Sequence, residues 1–114
     1  MTPAQIMQKL DSCVLALEHG NIELKTLGIK KAKTKADYAI ALRKEILKLR
    51  IEKYPATLIL EISKGKEDVA KLRLDKDIAE SAYYTAISAM ENLRIEIEIL
   101  RSKLRWFREE YHNS

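Results

Sequence analysis

From Val69 onward apolar residues recur in alternating steps of three and four. They are Val69, Leu72, Ala79, Tyr83, Ala86, Met90, Leu93, Ile97, Leu100, Leu104, Phe107 and Tyr111, with Lys76 the one departure. That spacing is a heptad seam. No Gly or Pro interrupts it, and Glu67 and Asp68 set negative charge where a helix dipole favours it. The spacing predicts one helix over about 67–111. A second set, Ile78, Ala82, Ala89, Ile95 and Ile99, widens the stripe and predicts more than one neighbour for this helix.

The first half also reads as helix. Thr2 offers an N-cap and Pro3 suits a first turn. Ile6, Leu10, Cys13, Leu17, Leu24 and Leu27 keep a heptad-like seam on which Gly20 falls. After Gly28 the seam is expected to shift to Ile29, Ala32, Ala36, Ala39, Leu42, Ile46 and Leu49. His19-Gly20-Asn21 reads either as a break, with Gly20 closing one helix and Asn21 opening the next, or as a weak point that costs about 1 kcal/mol. Matching the length of the second helix favours one helix over about 4–53, continuous or kinked; folding back at Gly20 into a third layer is the alternative. Tyr54-Pro55 ends this helix, because the residue before proline is driven out of helical geometry. Residues 56–62, ATLILEI, predict a short helix at about 57–63, capped by Thr57 and stopped near Gly65.

These elements predict an all-α fold. It is a long antiparallel helical hairpin, coiled-coil-like, with a short bridging helix, assembled into an oligomeric helical bundle that buries the spare stripe. A hairpin folded about position 60 sets Ala32, Ala36 and Ala39 against the region of Ala82 and Ala86, with axes about 8 Å apart. It also gathers Tyr38, Tyr83 and Tyr84 beside that narrow point. On this register Ala36→Leu or Ala86→Leu overpacks the hairpin by about 1–3 kcal/mol.

Composition narrows the function classes. A chain of 114 residues makes one domain, and three glycines with two prolines are too few for a sandwich, a barrel or a doubly wound sheet. The single Cys13 rules out an internal disulfide and a cysteine zinc site, and its place on the seam reads as a small buried residue. His19 and His112 lie far apart and read as solvated. There is no Gly-rich phosphate loop and no Ser, His and Asp constellation. Asp75, Asp77 and Glu80 form the one tight acidic cluster, but on a helix Asp75 points away from the other two, so surface pairing with Lys71, Arg73 and Lys76 is expected. The expectation is a protein that is not an enzyme, with no catalytic residue, metal, cofactor or small-molecule substrate. No apolar run reaches transmembrane length and no signal peptide opens the chain, so no membrane partner and a cytoplasmic setting are expected.

Charge adds two candidate surfaces. The net charge of +4 is uneven: residues 22–53 carry ten basic and four acidic side chains, residues 67–114 eight and ten. Complementary pairing of two helices accounts for this, and so does a nucleic-acid face. The candidate nucleic-acid residues are Lys30, Lys31, Lys33, Lys35, Arg43 and Lys44, with Arg101, Arg105 and Arg108 beside Trp106 and Phe107. Cations mixed with aromatics can follow phosphates and stack bases. Against this, the lysines spread around the helix and Phe107 continues the seam. The candidate protein-contact residues are Leu58 and Ile59 on the short apolar helix and Trp106, which lies off the seam.

One ordered pattern runs through Asp37-Tyr38, Ala41, Lys44 and Leu47, then Pro55, Thr57 and Gly65, then Val69-Ala70, Leu72-Arg73, Asp77, Ala79-Glu80, Tyr83 and Ala86. Over residues 27–111 it resembles small helical proteins encoded by tailed phages and prophages of Gram-positive bacteria. The resemblance implies an early-region gene near recombination or single-strand-binding functions, in the cytoplasm of an infected or lysogenic host. Such proteins have no established activity; the spare apolar stripe itself leads to the expectation of a homo-oligomer that binds a host or phage protein, with a nucleic-acid accessory role in recombination or replication as the alternative. The resemblance carries over no functional residue.

Overall fold

A computed structural model describes residues 1–113, with side chains through His112. The described residues form three helices, α1 (Pro3–Ile51), α2 (Ala56–Gly65) and α3 (Glu67–Asn113), and no strand. At the start of α1 the Thr2 hydroxyl accepts a hydrogen bond from the Gln5 N–H at 3.2 Å, while the Gln5 carboxamide accepts one from the Thr2 N–H at 2.9 Å. This capping box satisfies two donors at once and leaves Pro3 in the first turn, where its missing N–H costs nothing.

α1 passes through His19-Gly20-Asn21 without interruption, and no glycine takes a positive φ. The continuous helix is therefore the one that forms, and the alternatives of a break and a folded-back third layer do not. The helix stops before Pro55 by its own backbone. The Lys53 N–H donates to the Arg50 carbonyl and the Tyr54 N–H to the Leu49 carbonyl, both at 3.1 Å, with Lys53 at φ 64°. That is a Schellman closure with lysine where glycine usually stands. A side chain in this left-handed conformation costs roughly 1 kcal/mol. Lys53→Gly is therefore expected to stabilise the fold by about 1 kcal/mol, read as a higher urea midpoint at unchanged slope; a lower midpoint would contradict the closure.

α2 begins at Ala56, with Pro55 in the capping position and no side-chain cap. Thr57 already lies within the first turn, which is why it does not serve as the expected cap. The helix ends at Gly65, and the Lys66 N–H reaches the Ser63 carbonyl at 3.3 Å.

The chain forms two compact units. The first joins Met1–Lys25 with the part of α3 from Tyr84 onward. Lys9 meets Glu96 at 3.2 Å and Gly20 lies against Met90, so the two segments run antiparallel. Ile6, Cys13, Ile97 and Leu100 form its core, with Leu10, Leu17, Leu93, Leu104 and Phe107 packed around them. The α3 seam points inward here as its spacing predicts, except that Tyr111 is 84% exposed.

The second unit spans Thr26–Tyr83. Gly28 lies against Tyr83, Tyr38 under the Lys76 ammonium, and Glu45 bonds Lys66 at 2.9 Å. Leu49, Ile59, Ser63, Val69 and Ala79 are its buried residues. The Ser63 hydroxyl, fully buried, makes no hydrogen bond among the described residues, a cost of about 1–3 kcal/mol. Two expectations are corrected. The seam of α1 does not shift at Gly28: Ile29, Ala32, Ala36 and Ala39 are exposed, while Lys31, Thr34, Tyr38 and Ala41 turn inward. The shift comes only after Ala41, where Leu42, Ile46 and Leu49 take over. Polar residues can hold the earlier positions because each satisfies its own polar end. The Lys31 ammonium lies 5.6 Å from the centre of the Tyr83 ring, and the Thr34 hydroxyl donates to the Lys30 carbonyl at 2.9 Å. The second correction is the register. A fold about position 60 would set Asn92 opposite Gly28, yet Tyr83 stands there. Ala36 is exposed, so the overpacking expected of Ala36→Leu lapses. Tyr38 sits at Lys76, two turns from Tyr83 rather than beside it.

Candidate interaction surface

In the first unit α3 has two opposite faces. The inner seam includes Ala86, Met90, Leu93, Ile97 and Leu104. Two residues further on, about 200° around the helix, a second line runs through Ser88, Asn92, Ile95, Ile99, Ser102 and Trp106. It too steps by four and three, and it carries no charge although a third of the chain is charged. Ile95, Ile99 and Trp106 are 60%, 50% and 55% exposed. Arg94, Glu98 and Lys103 flank them. Trp106 rests edge-on against Phe107, with ring centres 5.0 Å apart, so a core residue fixes its orientation. Of the C-terminal cations, Arg101 bonds Glu98 at 3.1 Å, and Arg105 and Arg108 are exposed.

In the second unit Leu58 is exposed, but Ile59 is buried. Ile59 is therefore a core residue rather than a contact residue: α2 has its own inner face, on which Ile59 and Ser63 stand four apart. Lys31 is half-buried over Tyr83, while Lys30, Lys33, Lys35, Arg43 and Lys44 are exposed. At 100° per residue Lys35 points away from Lys30 and Lys33, so the four lysines make no common stripe.

Lys35 belongs instead to a different group. With Arg43 and Arg50 of α1 and Lys76 of α3 it rims a groove of about 650 Å³. Its floor is Ala39, Leu42 and Ile46. Reading the chain in order misses this grouping, because Lys76 enters from a distant helix. The local signal was there: cations at 35, 43 and 50 border an uncharged line at 39, 42 and 46.

Burial, then the charge of and a hydrogen bond to Glu96, push the Cys13 thiol up, which keeps it protonated and unreactive at neutral pH. A side-chain hydrogen bond to Glu45 raises Lys66, and one to Asp77 raises Lys76, so both ammonium groups stay charged. Asp77 bonds Lys76 at 3.1 Å, and no group of three or more metal-ligating side chains converges among the described residues. No helix among them is long and apolar enough to cross a membrane. The chain matches no family model, no curated protein and no solved structure.

Proposed function

We propose that this chain is a non-enzymatic helical interaction protein of phage type. It self-associates and binds a further protein of the host or the phage, with inhibition of a host defence or replication factor as one form of that action. The observation that carries the reading is the uncharged outer line of α3 with Ile95, Ile99 and Trp106 exposed. A helix at the surface of a monomer ordinarily turns charge outward, so a second apolar line opposite the core asks for another protein face. The ordered resemblance over residues 27–111 supports the phage source and a cytoplasmic setting.

Sedimentation tests the self-association. The wild-type coefficient should rise with protein concentration. Ile95→Glu with Ile99→Glu should remain monomeric at unchanged helicity, since losing the contacts of two exposed isoleucines with a second copy costs about 2 kcal/mol, roughly thirtyfold in affinity. A wild-type monomer at the highest attainable concentration would remove the self-associating half of the proposal.

A further inference from the structure

We propose that the groove rimmed by Lys35, Arg43, Arg50 and Lys76 is the docking site for an acidic amphipathic helix of another protein. The inference rests on the interaction-protein reading and names the chemistry of the partner. It draws only on the second unit.

The floor sets the first requirement. Leu42 and Ile46 are half-buried, and Ala39 beside them is exposed. A floor of this kind takes aliphatic side chains spaced along one helical face. From Lys35 to Arg50 the groove follows about 22 Å of α1, the length of a helix of roughly fifteen residues. The rim sets the second requirement. Four cations border the floor, and no carboxylate lines it. Lys35, Arg43 and Arg50 form no ion pair among the described residues; Lys76 bonds its neighbour Asp77, and Glu80 lies beside Lys35 and Lys76 outside the groove. Lys35, Arg43 and Arg50 follow one another at eight and then seven residues, about two turns each. A helix laid alongside therefore meets them with carboxylates repeated every two turns. Complementary charge of this kind selects the partner and speeds its arrival.

A single-stranded nucleic acid suits the site less well. Strand binding combines cations with open aromatic faces on which bases stack. Tyr38 is the aromatic residue of this groove, and the Lys76 ammonium lies 5.5 Å from the centre of its ring. An aliphatic floor adds nothing to phosphate contacts, which are sequence-independent and made to the backbone.

The test uses the full chain and three fluorescent probes. One is a stapled helical peptide with leucines on one face and glutamates every seven residues on its flanks. The second carries lysines in place of those glutamates, and the third is an oligothymidine. Anisotropy should show the glutamate peptide binding at least tenfold more tightly than the lysine peptide. Arg43→Glu, at an exposed position that leaves the core untouched, should narrow that preference severalfold, and Leu47→Ser, at an exposed residue that also lines the groove, should weaken both. Equal affinities, no saturable binding of the glutamate peptide, or oligothymidine binding more tightly and lost in Arg43→Glu would each overturn the proposal. Sedimentation of Arg43→Glu separates the two ideas. It should self-associate like the wild type, so failure at the groove leaves the outer line of α3 standing.

Discussion

Ile97→Ala is expected to destabilise the protein by about 2–5 kcal/mol, whereas Ile99→Ala, two residues along the same helix, should change stability by no more than about 0.5 kcal/mol. Ile97 is 5% exposed and stands in the core with Ile6, Cys13 and Leu100. Truncation there removes three carbons from a packed site and leaves a cavity whose walls relax only in part. Ile99 is half exposed on the opposite face, and its truncation removes surface that water already wets. A domain of this size is stable by roughly 5–15 kcal/mol, so the first substitution removes a large fraction of the total. Urea unfolding followed by circular dichroism, at concentrations below self-association, reads both. Equal midpoints would mean that the two faces of α3 have been assigned wrongly.

Gly20→Leu should cost about 1–3 kcal/mol, and Met90→Ala in the same chain should return a good part of it. Gly20 lies in ordinary helical geometry, so its value is not conformational freedom. A Cβ placed there would overlap the Met90 sulfur and lie 3.3 Å from its methyl carbon. Met90 is buried, so its thioether has little room to retreat. At an exposed helical site replacing glycine would gain up to about 1 kcal/mol, and here crowding outweighs that gain. Met90→Ala alone should cost about 2–5 kcal/mol by leaving a cavity. A coupling of at least about 1 kcal/mol between the two substitutions is the signature of the contact. Additive effects would show that the two residues do not share the space.

The α3 seam was legible because its steps of three and four run with a single departure over nearly the whole helix, whereas the opposite line is filled out by Ser88, Asn92 and Ser102. Even Lys76, the one departure, is half-buried and covers Tyr38 with its ammonium. The middle of α1 was not. Ile29, Ala32, Ala36 and Ala39 make a plausible apolar line, yet Lys31, Thr34 and Tyr38 occupy the inner face. Local pattern counts a lysine as polar throughout, whereas four methylenes can be buried while the ammonium stays solvated or meets a ring. The choice between the two lines depends on what stands opposite, and Gly28 opposite Tyr83 decides it. Ile59 illustrates the same limit: in an apolar run of seven residues, spacing does not say which member faces inward.

Helical class, the capped start at Thr2, the short helix after Pro55 and the inner face of α3 follow from residue order alone. Each rests on contacts within a few residues of chain, where backbone geometry and side-chain period suffice. Only the folded structure decided the register, the continuity of α1 through Gly20, the inner face of α1 between Lys31 and Ala41, and the joining of Lys76 to Lys35, Arg43 and Arg50. Those depend on pairs of residues far apart in the chain, and a single sequence carries no direct record of which distant side chains share a space.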